Sequence, residues 1–221
     1  MIVDPKTTVL GVVLSLCIPL QAALGDVPGR RHNSLTIVQN DEQNASKRAL
    51  SHLDEAKKHL AAGNEAAAIE ESSLAIQSAP RLPTAYGLRA QIYMMRGGFQ
   101  QAVEDLQVAV RLAPDEPGFY LMRGNALFFL ERFEPAVRDL TQAIKLRPKN
   151  SVAHFLRGRA YGLWAVESTK SKFEDVSGRF DSAIVDMKRA IELSSDGGVD
   201  PAYVKEYLKG IEADRYFVDP R

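Results

Sequence analysis

Apolar and small residues between positions 80 and 148 return at three- and four-residue intervals, the spacing of one face of a helix. Tyr86, Ala90 and Tyr93 share one such face, and Gly97-Gly98 ends it. Ala102, Leu106 and Ala109 mark a second helix, and Pro114 stands just past its end, where the helix cannot continue. The markers then recur 34 positions later: Pro83 with Pro117, Arg89 with Arg123, Phe99 with Phe133, Ala102 with Ala136, Leu106 with Leu140, Ala109 with Ala143. A fixed period of this length indicates stacked helical hairpins, each burying its apolar face only against its neighbours. Small residues at Ala90, Gly124, Ala102 and Ala136 mark where the two helices of a hairpin cross closely.

The pattern extends both ways. From Ala45 a degenerate first unit carries His52, Ala56 and His59 at the aromatic, small and Tyr positions, and its polar character suits a terminal cap. Ser151 opens a fourth unit with His154, Gly158 and Tyr161, which Phe180, Ala183, Met187 and Ala190 continue thirteen residues late. The extra residues, near 165–177, are expected to lengthen the first helix and its loop. A last amphipathic helix starts near Asp200-Pro201 with Tyr203, Tyr207, Leu208 and Ile211.

The order aromatic, Gly/Ala, Tyr, then Ala, Phe/Tyr, Ala and Pro within one such period resembles the tetratricopeptide repeat family. The resemblance covers residues 45–195 as units 49–82, 83–116, 117–150 and 151–195, with a cap helix and tail over 196–221. It implies an all-α fold, a right-handed superhelix of about four stacked antiparallel hairpins plus the cap. It also implies a non-catalytic scaffold that holds a protein or peptide in the concave groove of the first helices. Carried onto this register, the partner-binding groove is Lys57, Leu88, Gln91, Met94, Met122, Asn125, Phe128, Phe155 and Arg159, with Met94 and Phe128 facing solvent. Met95, Phe129 and Leu163 stand where either exposure or packing fits. Family members that bind the acidic tails of cytosolic chaperones use Lys and Asn at positions that here are Leu53, Lys57, Leu88, Gly118 and Met122. Only Lys57 has a suitable charge, so that clamp is not expected. The groove reads instead as rich in Met and Phe, suited to an apolar partner.

Charge also repeats. Arg89, Arg123 and Arg157 recur on the first helices, and Glu71, Asp105, Asp139 and Asp186 on the second. They form a structural ion-pair ladder, expected to pair each acid with the arginine of the next unit: Glu71–Arg89, Asp105–Arg123 and Asp139–Arg157. Twenty-eight basic and 28 acidic residues cancel overall, which argues against a nucleic-acid partner. There is no Gly-rich phosphate loop, no His-Glu-x-x-His and no carboxylate pair outside the ladder, so neither an enzyme nor a cofactor is expected. His52 and His59 supply too few ligands for a metal site.

The amino terminus carries a separate message. Residues 9–20 form an apolar block after Lys6, followed by Ala23 and Gly25, the layout of an export signal over residues 1–25. Twelve residues are short of the roughly 20 that span a bilayer. If uncleaved, the segment would anchor the chain and be its only membrane contact. Cys17, the single cysteine, lies inside it, so the mature chain is expected to hold no disulfide. Residues 26–44 read as a flexible linker. The expected location is periplasm, cell envelope or exterior, and the alternative role is a self-associating structural protein of the envelope, a homo-oligomer.

Overall fold

The computed structural model describes residues 30–169, 176–194 and 198–218. The chain divides into two units, residues 1–44 and 45–221, and the second holds the helical array. The described helices are α1 (Arg30–Ala61), α2 (Glu65–Ser78), α3 (Pro83–Met95), α4 (Phe99–Leu112), α5 (Pro117–Phe129), α6 (Phe133–Leu146), α7 (Ser151–Ser168), α8 (Ser177–Glu192) and α9 (Pro201–Val218). Among the described residues there is no strand. The all-α expectation holds. The export segment, residues 1–25, lies outside the described residues. Residues 30–44, expected as flexible linker, are instead helical. Neither proline nor glycine occurs from Arg30 to Ala61, so nothing in that stretch stops the helix before Gly63.

The turns inside the first three hairpins each place one residue in the left-handed region. Gly63 (φ 75°) and Gly97 (φ 76°) supply it at no steric cost, and Glu131 (φ 57°) adopts the same conformation one period after Gly97. A side chain there is strained. Glu131→Gly is therefore expected to stabilise the protein by about 0.5–1 kcal/mol, strain relief less the entropy glycine gains when unfolded. The midpoint of urea unfolding reads the change, and a downward shift would contradict it.

Helix starts follow local chemistry. Asn64 and Asn150 accept hydrogen bonds from the amides of Ala67 and Ala153, and Pro83 and Pro117 open α3 and α5. Inside each hairpin the helices meet at fully buried alanines, among them Ala102, Ala109, Ala136, Ala143, Ala183 and Ala190. Opposite them stand glycines with no space for a methyl group: a Cβ on Gly124 would lie 2.7 Å from Leu140 Cγ. The core continues into α9 through Val204 and Ile211, which pack with Phe180 and Met187. α7 has 18 residues where α3 and α5 have 13, so part of the insertion extends this helix. Residues 170–175 of the insertion lie outside the described residues.

Candidate functional site

The charge ladder pairs within hairpins. Arg89 Nε and Nη2 donate to Asp105 at 2.8 and 2.7 Å, and Arg123 does the same to Asp139 at 2.6 and 2.7 Å. Arg157 Nε and Nη2 donate to Asp186 at 2.7 and 2.8 Å. The expected pairs Glu71–Arg89, Asp105–Arg123 and Asp139–Arg157 are thus replaced by partners one helix later. The antiparallel hairpin puts the two side chains face to face. The pairing survives the insertion, since partners 16 residues apart in the second and third hairpins are 29 apart in the fourth, an excess of thirteen. By register, within-hairpin pairing would set Glu55 against Glu71 in the first hairpin. Instead Glu71 meets His52 Nδ1 at 2.7 Å, one turn earlier, and Glu55 accepts from Lys58.

The ladder does reach across hairpins, through hydroxyls. Arg89 Nη1 donates to Ser73 Oγ and Arg157 Nη1 to Thr141 Oγ1, each at 3.0 Å. The matching position between them is Gln107, which lines a cavity of about 240 Å³ with Arg123 and Asp139. Hydrogen bonding to the carboxylates holds the Arg89 and Arg123 guanidinium groups above their ordinary value. For Arg157, burial pushes downward most strongly, and the hydrogen bond and charge of Asp186 outweigh it. A raised value means the stabilisation is complete below the ordinary arginine range and lost only above it, so arginine ionisation does not loosen the ladder near neutrality. Asp186 is the hub of the fourth hairpin. It also faces His154 Nδ1 at 2.9 Å, while His154 Nε2 faces the Pro148 carbonyl at 3.2 Å.

The face lined by the first helices differs from its expected composition at Phe128 and Phe155, and Met94, expected to face solvent, is half-buried against the core of the second hairpin. Phe128 and Phe155 are each only 5% exposed. Phe155 packs edge-on against Tyr203 and Tyr207 of α9, and Phe128 against Phe129 and Phe133. Leu53 lies in the core of the first hairpin. Lys57 is exposed beside Asp54, Gln91 is exposed, and Leu88, Met94, Met122, Asn125 and Arg159 are half-buried. Other apolar side chains of the first helices are exposed: Leu50 at 54%, Val166 at 40%, and a set of three, Met95 at 58%, Phe129 at 50% and Leu163 at 39%. The last three are spaced by the repeat period, one in each of the second, third and fourth hairpins. Phe129 stacks on Phe99 with centroids 4.6 Å apart and planes 9° from parallel. This ridge was visible as a period in the sequence, but its exposure was not.

Residues 121–161 match the tetratricopeptide repeat family. The array is a solenoid of the tetratricopeptide repeat (TPR) type. It is similar to the first TPR of Spaghetti (RPAP3) bound to HSP90 peptide SRMEEVD, with 27% identity and a TM-score of 0.54 over 54% of this chain and 95% of that one. The first TPR domain of human RPAP3 is 25% identical, with a TM-score of 0.52 over 57% and 98% of the two chains. MamA from Desulfovibrio magneticus RS-1 has a TM-score of 0.63 at 16% identity, over 76% and 85%, a likeness of fold alone. No curated protein sequence matches the chain. Among the described residues, no three His, Cys, Asp or Glu side chains are grouped to hold a metal, and no helix is long and apolar enough to cross a membrane.

Proposed function

We propose that this protein is a non-catalytic protein–protein interaction scaffold that grips a peptide or partner protein in an apolar groove along its first helices. The ridge of Met95, Phe129 and Leu163 carries the reading. An exposed apolar side chain at the repeat spacing in each of the second, third and fourth hairpins suits a partner that runs across successive hairpins. Phe129 is held ready by its stack on Phe99, and Met95 adapts to irregular shapes. TPR folds are generally interaction scaffolds, and one of the similar structures holds a chaperone peptide. The positions for gripping an acidic tail are Leu53, Lys57, Leu88, Gly118 and Met122 here, so this partner is held mainly by apolar contacts. Export through residues 1–25 belongs to the same proposal and places the partner in the envelope or outside the cell.

The test is affinity capture from envelope and secreted fractions with the full chain, beside a Met95→Glu/Phe129→Glu chain of equal helicity. Both side chains are exposed, so the substitutions spare the core. A partner held by the first and weakened about tenfold or more by the second supports the ridge. Equal capture by both would remove the ridge from the site. Capture of nothing but further copies of the chain would favour the self-associating envelope protein.

A further inference from the structure

Arg159 differs from the ladder arginines in having no acid. Its Cζ lies 4.6 Å from the ring centroid of Phe128 and 5.6 Å from those of Phe155 and Tyr207, so rings from α5, α7 and α9 surround it. Aromatic faces attract the cation, but they do not take up its in-plane N–H donors. Its Nε is buried without a hydrogen-bond partner, and no carboxylate among the described residues pairs with it. Arginine cannot relieve this by shedding its proton. Each of the three ladder arginines has a carboxylate across two of its donors. Arg159 is oriented and partly desolvated in the same way, with the carboxylate missing.

Next to it, α7 and α9 form an open cavity of about 350 Å³ whose lining includes Leu163, Val166, Tyr203, Tyr207 and Ile211. Tyr207 belongs to both features, and Leu163 lies one turn beyond Arg159 on α7. Glu206 and Asp214 also line it, Glu206 beside Lys209, and neither pairs with Arg159. Their charge disfavours an acid inside the cavity and leaves Arg159 as the place for one. Leu163 joins this region to the exposed ridge, so whatever lies along the ridge arrives here.

We propose that Arg159 and the α7–α9 cavity form one composite subsite for a partner peptide, taking an Asp or Glu carboxylate at Arg159 and an adjacent bulky apolar side chain in the cavity. The inference rests on the reading of the first-helix face as a peptide groove. Arg159 stands three periods after Lys57, at the same place in its unit, and the cap helix supplies one wall.

A phage-displayed library of random linear peptides, panned against the full chain, supplies the probes. Enriched peptides are expected to carry Asp or Glu within a few residues of Phe, Trp, Leu or Met. Their synthetic forms should lose about tenfold or more in affinity against Arg159→Met, with part of the loss restored by Arg159→Lys. Changing the peptide acid to its amide should weaken binding to the wild-type chain and leave binding to Arg159→Met unchanged, a coupling that mere structural damage does not produce. Equal helicity and Trp164 fluorescence establish that the variants are folded. Peptides that lose affinity for Met95→Glu/Phe129→Glu but show no coupling to Arg159 would overturn the subsite and keep the ridge. Peptides coupled to Arg159 but indifferent to the ridge substitutions would support the subsite and overturn the ridge. A library that enriches nothing would overturn both.

Discussion

Asp186→Ala should destabilise the fourth hairpin by about 3–5 kcal/mol, the range for removing one partner of a buried ion pair. Asp186 receives two donors from Arg157 and faces His154, and its side chain is 3% exposed. Truncating it leaves both partners without that carboxylate, and burial, already the strongest influence on Arg157, is then opposed only by Tyr161 and the bond to Thr141. The single tryptophan, Trp164, sits on α7 under the Arg179 guanidinium, 4.0 Å from its ring centroid, so fluorescence during urea unfolding reports this hairpin. Asp105→Ala and Asp139→Ala should cost less, on the order of 1–3 kcal/mol, because those carboxylates are more exposed and lack a histidine. An Asp186→Ala protein less affected than Asp139→Ala would remove Asp186 from its central place. The cost comes from orphaned charge, so Arg157→Leu/Asp186→Leu should recover part of the loss. In double-mutant cycles, Arg157 should couple to Asp186 and hardly at all to Asp139.

That cycle addresses what periodicity alone leaves open. Arg89 stands almost midway along the chain between Glu71 and Asp105, and Arg123 almost midway between Asp105 and Asp139. Spacing marks the ladder residues but does not choose their partners; the antiparallel hairpin chooses. The helices were legible for a sturdier reason: prolines, turn glycines, buried alanines and apolar faces all fall in one register. Glu131 was a harder case, because its left-handed turn lacks the glycine that signals the other two. Phe128 and Phe155 were misplaced for a different reason. Helical register says which way a side chain points, whereas their burial depends on Arg159 beside Phe128 and on α9 over Phe155, two helices further along the chain. A terminal helix outside the repeat pattern has no periodic signal to announce what it covers. Arg159 was legible as a groove residue, but that it stands without an acid is recognisable only once its neighbours are placed.

The crossing of α5 and α6 should reverse the usual sign of a glycine-to-alanine change. In an open helix, alanine is favoured over glycine by about 1 kcal/mol. Gly210 on α9 is such a position, with nothing within 4 Å of an added Cβ, and Gly210→Ala should stabilise by about 0.4–1 kcal/mol. At Gly124 the same methyl group would lie 2.7 Å from Leu140 Cγ and 3.2 Å from the Ala136 carbonyl oxygen. Leu140 is fully buried and the carbonyl belongs to helical backbone, so neither yields cheaply. Gly124→Ala should therefore cost about 1–3 kcal/mol net, the range for overpacking a filled core. Gly158→Ala meets a similar carbonyl, that of Ala183 at 3.1 Å, but should cost less, because its nearest obstacle at 2.9 Å is Met187 Cε, the free end of a flexible side chain rather than a branched Cγ. Ala136→Leu presses on the same crossing from the other helix and should cost at least as much as Gly124→Ala. Once either substitution has pushed the helices apart, the second meets less resistance, so the double variant should lose less than the sum. Urea unfolding of the four single variants and the Gly124→Ala/Ala136→Leu double decides the matter. If Gly124→Ala stabilises as Gly210→Ala does, the two helices do not meet at Gly124 as closely as this register requires.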